Sequence, residues 1–260
     1  IDADGKDFEL KPWDWFHYAE KVRAEKYSID SDEVKKYFEF NRVLEDGVFY
    51  AMGELFGISF EERKDIPVYQ EDVKVYEVFD VDGSSLGLFY ADYFARDSKR
   101  GGAWMNDLLY GGPRPDGSFA PHVAVICANF PQPDGDRPAL LTHQDVETLF
   151  HEFGHLLHHL TSTVPIAPMA GINVAWDFVE LPSQIMQNWT WEQEALSLFS
   201  GHYETGEPLP KDLYERLRSA RTFMGGWRQM RQLSLGHLDL RLHRDPADAV
   251  TDDLMSHIEG

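Results

Sequence analysis

Phe150-His151-Glu152-Phe153-Gly154-His155-Leu156-Leu157 is the stretch on which the reading of this chain turns. Counting Leu149 before it, apolar residues fall at positions 149, 150, 153, 156 and 157, the spacing of a helix with one buried face. Two histidines four apart on such a helix are separated by about 40° around its axis. Both can aim a ring nitrogen at one divalent cation, with Glu152 beside it. H-E-x-x-H is the pattern of a Zn²⁺ site that carries its own carboxylate base. The competing reading is a helix with two surface histidines, and a third ligand would separate the two.

Thr142 followed three residues later by Asp145 has the form of a capping box, which starts the helix near His143 and ends it near Thr161. Catalytic zinc keeps three protein ligands and an open position. Glu180, 25 residues past the second histidine (180 − 155 = 25), is the candidate third ligand. The gap leaves room for a loop and a returning helix. Val179, Leu181, Phe178 and Trp176 around it point to burial, and a buried carboxylate needs a compensating charge. The expected site is therefore one Zn²⁺ ion on His151, His155 and Glu180, with Glu152 as general base.

Other candidates are weaker. His158 lies two turns, roughly 10 Å, beyond His151 and cannot share a tetrahedral ion with both motif histidines. His158 and His159 are read as supporting or solvent-facing, and His122, His143, His202, His237 and His243 as structural. Asp177 and Gln184 flank Glu180 at helical spacing; each could accept a hydrogen bond from a ligating histidine, or cap a helix and fill the core. Ser183 lacks a histidine and acid in a triad-like role. Cys127 sits in a strand with no assigned base.

Outward from the motif, residues 10–63 read as helical, with Gly47, Gly53 and Gly57 as interruptions. Residues 66–130 read as β-rich: a hairpin of Val73–Phe79 and Leu86–Phe94 around Asp80–Ser84, a Gly/Pro loop at 111–117, and a strand at Val123–Phe130. Residues 142–260 carry the motif helix and further helices: a long segment from Trp176 to Phe199 in which Pro182 must lie near the first turn or kink it, and one or two helices over 211–242. The fold class is α+β, mainly α with a small sheet, in one 1–260 domain.

The formal charge is −21, from 45 acidic against 24 basic residues spread along the chain. Such a surface repels phosphate backbones and anionic lipid, so nucleic acid and membranes are not expected partners. Cys127 is the single cysteine, which rules out an internal disulfide and favours a reducing, cytoplasmic setting. No stretch approaches the roughly 18 apolar residues of a membrane span. The chain begins Ile1-Asp2-Ala3 and stops at Glu259-Gly260, and is read as a fragment of a longer one.

The chain resembles the M3 (thimet oligopeptidase) family of zinc peptidases, and within it the bacterial oligopeptidase branch. The resemblance rests on Phe150–His155, on Trp176-Asp177 with Val179-Glu180-Leu181-Pro182-Ser183-Gln184, on Lys99–Met105, on Pro12-Trp13-Asp14 and on His202–Pro210. It implies the zincin-like catalytic region of a largely helical, clam-like endopeptidase, its small sheet beside the active site and its channel admitting short unstructured peptides. It also implies that His151, His155 and Glu180 hold zinc and that Glu152 is the base. A monomer is expected. A dipeptidyl carboxypeptidase of the same family and a non-catalytic zinc- or peptide-binding fragment are the alternatives.

Overall fold

The computed structural model describes residues 9–244. These fall into two compact units, one spanning Ile29–Glu215 and the other drawn from residues 9–28 and 216–244. In the second, α1 (Trp15–Tyr27) makes aromatic contacts: Trp15 stacks on Trp227 of α9 (Gly225–Arg244) with ring centroids 5.7 Å apart, and Tyr27 meets Phe223, in the turn before α9, edge-on. The apolar spacing predicted a helix at α1, and a helix forms, but none of its residues is buried.

The unit Ile29–Glu215 holds the sheet. After the short α2 (Ser31–Lys35), one helical run comprises α3 (Phe40–Arg42), a π-helical turn Val43–Phe49 and α4 (Tyr50–Phe56). Strands β1 (Ser59–Glu62), β2 (Lys74–Phe79), β3 (Ser85–Phe94) and β4 (Trp104–Leu109) follow. A small two-stranded ribbon, β5 (Gly112–Pro113) with β6 (Phe119–Ala120), precedes β7 (His122–Phe130). The helices after the sheet are α5 (His143–Leu160), α6 (Leu181–Gln187) and α7 (Gln193–Phe199); α8 (Lys211–Ala220) begins in this unit and its last residues are counted with the other.

Sheet order is β1-β2-β3-β7-β4, with β3 and β7 parallel and every other pair antiparallel. β2 and β3 form the expected hairpin, turning where Gly83 takes φ +82°. β1 corrects the helical reading of residues 10–63. Phe60 goes down into an aromatic cluster and stacks on Phe49 at 4.1 Å, and four residues are too few for their alternation to be read. β4 also lay outside the strands expected, because Trp104-Met105-Asn106-Asp107 has no β-branched residue to mark it.

The chain reaches β4 through residues 95–103, which are tied to the sheet by Asp92 at the end of β3. The Asp92 carboxylate takes both Arg96 guanidinium nitrogens (2.5 and 2.7 Å), the Tyr69 hydroxyl (2.9 Å) and Lys99 (3.1 Å). The buried Lys99 ammonium also donates to the carbonyls of Asp92, Phe94 and Ala128. Asn129 on β7 donates to the carbonyls of Arg100 and Gly102. This gives the Lys99–Met105 block a physical role: it fixes the turn that delivers β4 to the far side of β7.

α5 packs across the sheet. Val146, Leu149, Phe150, Phe153, Leu156 and Leu160 are fully enclosed, whereas His151, His155 and His158 lie half-buried. Phe153 anchors the helix, its ring meeting Phe49, Phe60 and Phe89 at 5.9, 6.2 and 5.5 Å. The Thr142–Asp145 capping box forms, with Thr142 N–H donating to Asp145 at 2.8 Å and Asp145 N–H to Thr142 Oγ1 at 3.0 Å. Among the described residues no helix is long and apolar enough to cross a membrane.

Candidate metal centre

The predicted helical segment from Trp176 to Phe199 resolves into turns over residues 176–180, α6 with Pro182 in its first turn, a 3₁₀ turn Asn188–Trp191, and α7. Pro182 costs nothing there, since its missing N–H would have no helical partner. Glu180 stands at the N-cap of α6 instead of within a helix. The expectation that it is buried is corrected: its side chain is 49% exposed, and Trp176 beside it is 94% exposed. The apolar neighbours project from a turn with no inward face to fill.

Exposed though it is, Glu180 comes to the motif. Its Oε2 lies 3.1 Å from His151 Nε2 and 3.2 Å from His155 Nε2. One ligand atom from each residue can be chosen so that all three lie within 4.8 Å of one another. Donors at 2.0–2.2 Å around a tetrahedral ion are roughly 3.3 Å apart, so Glu180 Oε2 stands from each imidazole nitrogen at the spacing of two ligands on one ion. Burial lowers the pKa of His155, against the pull of Glu180, which favours the neutral imidazole a cation requires.

A close crossing of α5 and α6 brings these groups together. A Cβ built on Gly154 would stand 2.4 Å from Ser183 Cα, 2.7 Å from Ser183 N and 2.7 Å from Pro182 O, so only glycine lets the helices approach this far. Ser183, fully buried, donates its hydroxyl within 2.9 Å of Glu180 Oε2 and 3.0 Å of the Glu180 carbonyl.

Glu152 faces the sheet side of the site and is only 6% exposed. Burial, then the charge of Glu180, push its carboxyl up to about 7, partly offset by the backbone amide of Met105 on β4. β4 is an edge strand, paired with β7 on one side and with no other strand among the described residues.

The remaining histidines sort differently from the sequence reading in one case. His158 is half-buried against Phe178. His159 is neither supporting nor solvent-facing: it is fully buried, its ring 4.7 Å from His122 and 5.0 Å from Tyr110, with Nε2 3.3 Å from the Leu109 carbonyl. One step further round the helix turns it from the cleft to the loop after β4. His122 accepts from Gly111 N–H (3.0 Å) and its Nε2 meets the Ser162 carbonyl (2.8 Å); His143 Nε2 meets the Thr190 carbonyl (2.8 Å). Asp177 and Gln184 are both exposed, and neither is hydrogen-bonded to a motif histidine among the described residues.

Two histidines one helical turn apart, with a second glutamate from the start of the next helix, form a group that could hold a metal ion, and Glu152 lies between the histidines in the sequence. The sequence profile of Peptidase family M3 matches residues 1–259, and the chain belongs to that family. It is similar to Oligopeptidase A of Escherichia coli (strain K12), 45% identical over 238 residues, which cover 91% of this chain and 35% of the relative. Oligopeptidase A of Haemophilus influenzae is 46% identical over 253 residues, 95% of this chain and 37% of the relative. Dipeptidyl carboxypeptidase of Escherichia coli is 44% identical over 243 residues, 94% of this chain and 35% of the relative. The chain thus spans little more than a third of the length of these relatives.

Proposed function

We propose that this chain is the catalytic region of a zinc-dependent endopeptidase that hydrolyses short, unstructured peptides. The observation that carries this reading is the approach of Glu180 Oε2 to both motif imidazoles, at 3.1 and 3.2 Å. His151, His155 and Glu180 would hold the ion. When bound, zinc supplies Lewis acidity at a scissile carbonyl and lowers the pKa of water. Glu152, buried beside the three ligands, takes the proton of the attacking water and passes it to the departing amine. β4 has a strand neighbour on one side only among the described residues, and along its other edge an extended peptide can add as a further strand, orienting the scissile bond over the site.

Hydrolysis of a peptide blocked at both ends, measured with metal content before and after chelation, tests the reading. Activity that survives full chelation would remove it. Glu152→Gln should retain zinc while losing turnover by at least 10²-fold; turnover that persists would refute Glu152 as base. Removal of C-terminal dipeptides is the second reading, favoured by the near-equal similarity to the dipeptidyl carboxypeptidase, 44% against 45% identity. Internal cleavage of a C-terminally amidated peptide counts against it.

A further inference from the structure

Ser183 has no part in a nucleophilic triad, yet it is fully buried and its hydroxyl meets the one carboxylate oxygen that faces both motif imidazoles. A hydroxyl has a single proton, and two acceptors of Glu180 lie in reach, Oε2 at 2.9 Å and the main-chain carbonyl at 3.0 Å. That carbonyl already accepts the Gln184 N–H at 2.9 Å, as the first turn of α6 requires. The carboxylate is charged, and a hydroxyl bonds more strongly to an ionised acceptor than to a neutral one. The proton is therefore best placed on Oε2.

Glu180 needs such a partner. It projects from a helix N-cap with its side chain half-exposed, so burial does little to select a rotamer. Ser183 is held in turn by the Gly154 crossing, where its Cα and N press on the helix that bears the histidines.

We infer that Ser183 is a positioning residue for the metal centre: its hydroxyl holds the Glu180 carboxylate at the angle at which Oε2 meets both imidazoles. This rests on the zinc reading above. The partner of a ligand typically changes metal affinity 10–100-fold.

The test is competition titration of the 260-residue chain with Zn²⁺ against a chromophoric chelator, with near-UV circular dichroism to follow the fold. Ser183→Ala should weaken zinc binding at least tenfold while the metal-free fold is kept. Ser183→Cys, matched in shape but a weak donor, should fall between Ser183→Ala and the parent, and it serves if the alanine variant fails to fold. In a Glu180→Ala background, Ser183→Ala should change zinc affinity less than twofold. An unchanged affinity in Ser183→Ala, with Glu180→Ala clearly weakened, overturns the positioning role and leaves the metal centre standing; the hydroxyl would then serve only the carbonyl of its own helix. If the parent chain binds no zinc, or Glu180→Ala binds it as well as the parent, the metal reading fails and this inference with it.

Discussion

Gly154→Ala is the substitution that most directly probes how the site is assembled. In an exposed helix, alanine in place of glycine gains about 0.8–1.0 kcal/mol. Here the new methyl would meet the Pro182–Ser183 backbone, the nearest atom 2.4 Å away where ordinary contact begins at 3.4 Å. Helix α6 must retreat by about 1 Å, and overpacking of this kind costs roughly 1–3 kcal/mol. The net effect on metal-free stability is a loss of about 0–2 kcal/mol. Because Glu180 sits at the start of the displaced helix, its carboxylate should draw away from both imidazoles, and zinc affinity should fall at least tenfold, the scale on which disturbing a ligand's support acts. Urea denaturation in the presence of a chelator measures the first quantity and zinc competition the second. A variant more stable than its parent, with unchanged zinc affinity, would show that the α5–α6 crossing does not set the ligand geometry.

Two further outcomes concern the scaffold. Phe153→Ala, which removes the ring shared by Phe49, Phe60 and Phe89, should destabilise the chain by about 3–5 kcal/mol in urea melts. Burial alone would raise the Asp92 pKa, but Arg96, Tyr69 and Lys99 outweigh it and hold the carboxyl below its ordinary value. Its contribution to stability is then complete above the unfolded value of about 3.9 and is lost as pH falls through the lower folded value. Asp92→Ala, which leaves the buried Lys99 ammonium its carbonyl acceptors but removes the carboxylate paired with it, should cost about 3–5 kcal/mol at neutral pH and flatten the acid limb of a stability–pH curve. An acid limb as steep in the variant as in the parent would assign acid sensitivity to other carboxylates.

The parts of the fold that were legible are those whose signal is local. The capping pair Thr142 and Asp145, the period of the apolar residues on α5 and the β2–β3 hairpin each declare themselves within a few residues. What escaped depends on partners far along the chain. β1 and β4 carry too short or too mixed a pattern to be read, and become strands by pairing with β2 and β7. Glu180 was identified by its distance from the histidines, while its expected burial failed because flanking apolar residues say nothing of a turn's orientation. Nothing in the residues around Ser183 marks it as a partner of Glu180, because that contact depends on the turn that starts α6. The glycine inside the motif was the available signal, since a helix without a side chain at that point invites another backbone against it.

The order of strands across the sheet also bears on how the molecule folds. β4, the β5–β6 ribbon, β7 and α5 follow one another in the chain, so the edge strand, Glu152 and both motif imidazoles come from one stretch, 104–160. Short loops close at little entropic cost, and such sequence-local pairings form early. Glu180 joins across the excursion after α5, so one carboxylate is tied to the two imidazoles through a longer loop than any that separates the elements of 104–160.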